Sequence, residues 1–177
     1  LTTLFPYTTL FRSRQVAARL GLADTGASAK AAVPALRLEM LGRFKVFAEG
    51  GELGAAAWTT AKARDLLAYL AHFSEAVAKE RILADLWPDS PHEKSSPLFH
   101  TTLYNLRQAL ERACRRRDLI LYRGGSCLLR AGSYITDREH FEGLLNAAGK
   151  AESSPEIAVA CLEEAVGLYR GKYLEDI

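Results

Sequence analysis

Seven side chains between His100 and Arg112 are of types that can do chemistry together: Thr101, Tyr104, Asn105, Gln108 and Arg112, with His100 and Arg107 on their flanks. Asn and Gln amides each present a donor and an acceptor that fit an adenine edge, and Arg can pair with guanine or with a phosphate. Spacing turns these residues into one face. Phe99, Leu103, Leu106 and Leu110 recur at intervals of four, three and four, which lines them along one helical stripe that must be buried. The polar set falls on the other side. Ser96–Pro97 is a start signal, with serine as N-cap and proline at the first helical position, so the helix is expected over about 97–114. Such a face on an isolated helix is ordinarily only solvated. Its neighbours in the chain change that.

Directly after the helix, residues 119–122 and 127–130 are short apolar runs flanking Arg123-Gly124-Gly125-Ser126. Glycines there permit the positive φ of a tight hairpin, and Arg123 at the tip can enter a minor groove. Upstream, a helix capped by Thr59 or Thr60 is expected to run to about Phe73, with Ala63, Leu66, Leu67, Leu70 and Phe73 apolar. A second is expected from about Lys79 to Trp87, with Ile82, Leu83, Leu86 and Trp87 inward. Pro88 ends it, and 88–97 reads as a loop longer than the turn of a simple helix-turn-helix. Earlier still, Leu36, Leu38, Met40 and then Phe44 and Val46 alternate with polar residues, predicting two half-buried strands with a turn near Leu41–Gly42.

Strands, three helices and a hairpin wing are the layout of a winged helix-turn-helix, so the fold class is α+β. Beyond Tyr134 the pattern changes to helices only. One is expected over 138–148, with Phe141, Leu144, Leu145 and Ala148 apolar; another over 155–169, with Ile157, Ala160, Cys161, Ala165 and Leu168. The pair resembles one tetratricopeptide-like unit. One such unit buries too little to be stable alone, so further helices are expected beyond Ile177.

The formal net charge of the 177 residues is only +2, but it is unevenly spread. Residues 94–130 hold eight Lys/Arg against two Asp/Glu, whereas 131–177 hold four against nine. A basic segment that coincides with the helix and wing suits a polyanion. Cys114, Cys127 and Cys161 are odd in number and form no CxxC pair, and His72, His92, His100 and His140 are scattered, so neither disulfide scaffold nor metal site is expected. No apolar run reaches the roughly 18 residues of a membrane span, and a reducing cytoplasmic setting is the expectation. No G-x-x-x-x-G-K-[ST] loop, paired carboxylates or nucleophile–base set stands out, so the chain is not expected to be an enzyme, and no cofactor is expected.

The N-terminus is read separately. TLFPYTTLFRS, Thr3 to Ser13, resembles the translation of a common sequencing adapter, so 1–13 are set aside from the fold as an artefact. Arg14–Ala23 has the pattern of a short helix, and Asp24–Pro34 reads as a linker rich in small residues.

KARDLLAYLA, ERILADLWPD, LYNLRQALE, DREHFEGLL and LEEAVGLYRGKYLED, in this order, resemble the bacterial transcriptional activator domain regulators. These include SARP-type activators and the large MalT-like regulators that carry the same module. The resemblance spans about 36–177. It implies an OmpR/PhoB-like winged helix over 36–133 and the start of a helical domain over 134–177, after a linker at 14–35. It implies double-stranded DNA as ligand, with helix 97–114 in the major groove and wing 119–130 on the minor groove or backbone. RNA polymerase would touch loop 88–97, with self-association on tandem DNA sites. Positions that read or clamp DNA in the family fall here on Thr102, Tyr104, Asn105 and Arg107, with Arg123 in the wing. The family's wing often reads RGxGY, where this chain has RGGSC. From the residues themselves, Thr101 and Gln108 join the base-reading set. Lys94, Arg107, Arg112 and Arg115–Arg117, Arg116 among them, are expected on phosphates. The alternative is an interaction module that keeps the fold without reading DNA.

Overall fold

The computed structural model describes residues 34–151 and 154–177, with the backbone alone at 92–95. The adapter-like stretch, the helix expected at 14–23 and the linker up to residue 33 lie outside the described residues.

Strand β1 (Leu36–Glu39) runs antiparallel to β2 (Lys45–Ala48), with Leu38 opposite Val46. The alternation works as expected: Leu36, Leu38 and Val46 are buried while Arg37 and Lys45 face out. β2 starts at Lys45 because Leu41–Phe44 form the connection, where Phe44 N donates to Asp176 Oδ1 at 2.7 Å. A short β3 (Gly51–Glu52) extends the sheet beyond β2.

Helix α1 (Ala61–Phe73) is capped by Thr60, whose Oγ1 accepts from Ala63 N at 3.3 Å. It buries Ala63, Leu66, Leu67, Leu70 and Ala71, and ends at Ser74 in the left-handed region, φ 55°. After β4 (Val77–Ala78) come α2 (Lys79–Leu86) and α3 (His92–Cys114). The wing follows as β5 (Ile120–Arg123) and β6 (Ser126–Leu129), and β4 pairs with β6 to give a second sheet in the order β4-β6-β5. One core joins these parts: Leu36, Leu38 and Val46 from the first sheet, Leu66 and Leu70 from α1, Ile82 from α2, Phe99, Leu103, Leu106 and Leu110 from α3, and Ile120, Cys127 and Leu129 from the wing.

Two expectations are corrected. The helix expected over about 97–114 starts at His92, not near Pro97, so the connection after α2 is only 87–91 and Pro97 lies inside the helix. Pro97 sits in the second turn, where its missing N–H costs one backbone bond; helix-forming Glu93 and Lys94 upstream carry the helix past it. The chain after Tyr134 is also not purely helical. β7 (Tyr134–Thr136) pairs in parallel with β1, giving the first sheet the order β3-β2-β1-β7. Three residues are too few to produce a visible period-two pattern.

Helices α4 (Asp137–Lys150) and α5 (Pro155–Leu168) pack on each other as a hairpin. Thr136 caps α4, accepting from Glu139 N at 3.0 Å. The boundary read at 133/134 is crossed by the sheet and by Asp137. This buried carboxylate accepts from Met40 N (2.7 Å) and Leu41 N (3.1 Å) and pairs with Arg170. Hydrogen bonds to a charged acceptor contribute about 1.5–3 kcal/mol each. Arg170 N and Leu174 N donate to the carbonyls of Leu41 and Met40 at 3.1 and 2.9 Å. Gly42, at φ +128°, allows the close approach, since a Cβ there would lie 3.2 Å from that of Arg170.

Candidate nucleic-acid interface

Helix α3 is 23 residues long, about 34 Å at 1.5 Å per residue. Phe99, Leu103, Leu106 and Leu110 anchor it in the core. On the opposite side Thr101, Tyr104 and Arg112 are exposed, Tyr104 by 62%, and Asn105 and Gln108 are half-buried between them. The structure therefore brings together Thr101, Tyr104, Asn105 and Gln108 on one open face. Thr102 does not belong to it. Only 7% exposed, Thr102 lies on the flank of α3 that turns toward the core. Lys94 lies in the first turn of α3, within the backbone-only stretch.

Arg107 is half-buried and already engaged: Nη2 donates to the carbonyl of Ile120 at 3.1 Å, tying α3 to β5. Its Nε is buried with no partner among the described residues. Arg107 also acts on Cys127, whose thiol is pushed up to about 11 by burial while the nearby guanidinium pulls it down. This arginine is a strut between helix and wing more than a free cation.

The wing turn is tighter than the four-residue tip expected. Arg123 pairs with Ser126 as the last strand residues, and Gly124 and Gly125, at φ 57° and 78°, form the two-residue loop. Arg123 is exposed beside the tip rather than on it. The loop is anchored from behind by Lys79 N, which donates to Gly125 O at 2.8 Å, and Lys79 Nζ reaches Ser96 Oγ at 3.3 Å.

Sequence reasoning passed over Tyr122. Its ring lies 5.4 Å from Phe99 and 5.7 Å from His100, so three rings bridge the first turns of the exposed α3 face and β5. The usable signal was the strand's period of two, which places Tyr122 on the same side as buried Ile120.

At the far end of α3 the arginines divide. Arg115, left-handed at φ 54°, ends the helix. Arg116 donates through Nε and Nη2 to the two carboxylate oxygens of Asp118, both at 3.2 Å. Arg130 reaches the same carboxylate at 3.5 Å and donates to the Asp118 carbonyl at 2.9 Å. The hydrogen bond from Arg116 holds the Asp118 carboxyl below the usual carboxylate range, and the same bond raises Arg116. Arg117 pairs with Glu111 at 2.5 Å. Arg112, Arg115 and Arg123 make no ion pair with a described residue. Arg112 borders a shallow groove with Ala109, Ala113, Gly50 and Gly51.

Cys127 and Cys161 are buried and Cys114 is half-buried, all as free thiols. Among the described residues no three His, Cys, Asp or Glu side chains group as metal ligands, and no helix is long and apolar enough to cross a membrane.

No protein-family model matches the sequence, and no curated protein matches it. Among solved structures the chain is similar to Mycobacterium tuberculosis EmbR, solved in complex with a low-affinity phosphopeptide. The TM-score is 0.66 at 23% identity, over 80% of this chain and 38% of the EmbR chain. The likeness shows the fold: N-terminal strands, a winged helix and a following helical part. The chain spans well under half of the length of that neighbour.

Proposed function

We propose that the chain is the DNA-binding part of a SARP-type transcriptional regulator, with the exposed face of α3 in the major groove and the β5–β6 wing against the minor groove or backbone. The observation that carries this reading is one open polar face, Thr101, Tyr104, Asn105 and Gln108, set beside an exposed arginine wing on a scaffold like that of EmbR, a SARP-family regulator. Asn105 and Gln108 are suited to an adenine edge, and Thr101 and Tyr104 to further base or backbone contacts. Arg112, Arg115 and Arg123, which make no ion pair with a described residue, are suited to phosphates, with Lys94 at the other end of the helix. Such a reader would work in the cytoplasm. The connection at 87–91 is the remaining candidate for a polymerase contact, and an activator role and tandem binding belong to the same reading.

The test is a salt titration of the full chain on duplex DNA, followed by fluorescence anisotropy. Each neutralised phosphate contributes about −0.9 to the slope of log K against log salt, so three free arginines give roughly −3. No binding at low salt would overturn the reading.

A second reading, an interaction module, is favoured by one observation: Val159, Leu162, Val166 and Tyr169 form an exposed apolar stripe along α5. In that case the chain would bind no duplex at any salt concentration.

A further inference from the structure

We infer that His100 and Tyr122 form a clasp that sets the position of Arg123 relative to the reading face of α3, making them positioning residues for DNA recognition. The inference rests on the DNA-reading proposal. It starts from what holds the tip-side part of β5, beyond the buried base of the wing. Among the described residues β5 is the outer strand of its sheet, paired with β6. β6 is tied to the body through two residue pairs with β4, Val77 with Cys127 and Ala78 with Ser126. Nothing in that pairing fixes the outer strand against α3.

Two contacts do. Arg107 holds the base of β5 through the Ile120 carbonyl. Nearer the tip, the aromatic group takes over. Phe99 is fully buried and is a fixed platform. Tyr122 lies tilted on it at 57°, and His100 stands edge-on to both rings, at 75° to Phe99 and 76° to Tyr122. Edge-to-face and tilted geometries are the attractive ones for such rings. His100 belongs to the exposed side of α3, one residue before Thr101, and Tyr122 immediately precedes Arg123. Successive strand residues point to opposite faces, so turning Tyr122 inward onto Phe99 and His100 turns Arg123 outward. The clasp thus fixes an angle as well as a distance: the helix face and the wing arginine are held as one surface, so a duplex seated on the face finds Arg123 already oriented. Orientation set before binding spares the cost of ordering a long side chain on its strand.

A mutant cycle on the full chain tests this. In the parent chain Arg123→Ala is expected to weaken duplex binding roughly ten-fold, the scale of one lost charged hydrogen bond. In a His100→Ala or Tyr122→Val background the same change should cost two-fold or less, because Arg123 is already misplaced; in Tyr122→Phe it should again cost about ten-fold. A full ten-fold cost in every background would overturn the clasp. A second arm needs no DNA. In the free protein, His100→Ala, a change at an exposed residue that leaves the core side chains in place, should shift the amide resonances of Leu121–Arg123, and unchanged resonances there would overturn the clasp. If the parent chain binds no duplex, the DNA-reading proposal fails, and the resonance arm still decides whether the rings position the wing.

Discussion

The two ends of α3 carry polar residues in opposite conditions. The wing-side half, Thr101 to Gln108, holds few formal charges, yet the side chains of its outward groups Thr101 and Tyr104 are exposed and make no hydrogen bond with a described residue. The C-terminal end, Glu111 to Asp118, holds four arginines, of which Arg116 and Arg117 are tied to Asp118 and Glu111. Tyr104 and Arg112 are about 12 Å apart along the axis at 1.5 Å per residue, so under the proposed function the two ends would address different parts of a duplex. Charge counting puts DNA affinity at the arginine end. The proposed function instead puts recognition at the quieter end, where the groups are uncommitted among the described residues and a second element, the wing, lies alongside. What counts for a ligand is the charge that remains after the fold has used its own.

Variants can break or sharpen this contrast. The largest effect should come from the residue beneath both ends: Leu106→Ala removes a fully buried side chain and is expected to cost about 2–5 kcal/mol of unfolding free energy in a denaturant titration. Next, Asn105→Ala and Gln108→Ala should each cost about 1–3 kcal/mol on a preferred duplex and little on random DNA; equal losses on both would remove base reading from the wing-side half. Arg112→Ala should weaken both duplexes alike and make the salt slope shallower by roughly one. The smallest effects belong to the paired arginines. Arg116→Ala should change random-DNA affinity less than Arg112→Ala does, since its ion pair must first be given up, and exposed pairs of this kind contribute at most about 1 kcal/mol. Asp118→Asn should tighten random-DNA binding a few-fold by freeing Arg116 and Arg130. A loss of affinity there would mean that Asp118 orients those arginines for DNA.

The winged arrangement was legible because its signals are local. The stripe Phe99, Leu103, Leu106 and Leu110, the Thr60 cap and the Gly124–Gly125 turn each follow from spacing or from the needs of a few dihedrals. The start of α3 was misread because Ser96–Pro97 is a good start signal in itself, and only the whole helix shows that Pro97 is tolerated inside it. β7 was missed because its strand identity lies in its partner, β1, nearly a hundred residues earlier. For the site, the open face was visible as a periodicity. The commitments of single side chains were not: Thr102 is buried by tertiary packing, Arg107 is engaged by a wing carbonyl, and Arg116 is paired with the Asp118 carboxylate two residues on.

The most direct measurement is an NMR titration of the full chain with a duplex enriched from a random library by binding to it. We predict that the largest amide and side-chain shifts fall on Thr101, Tyr104, Asn105, Gln108 and Arg123, with smaller ones at Arg112 and Arg115. Shifts confined to 112–118, or to the apolar stripe of α5, would contradict recognition by the wing-side half.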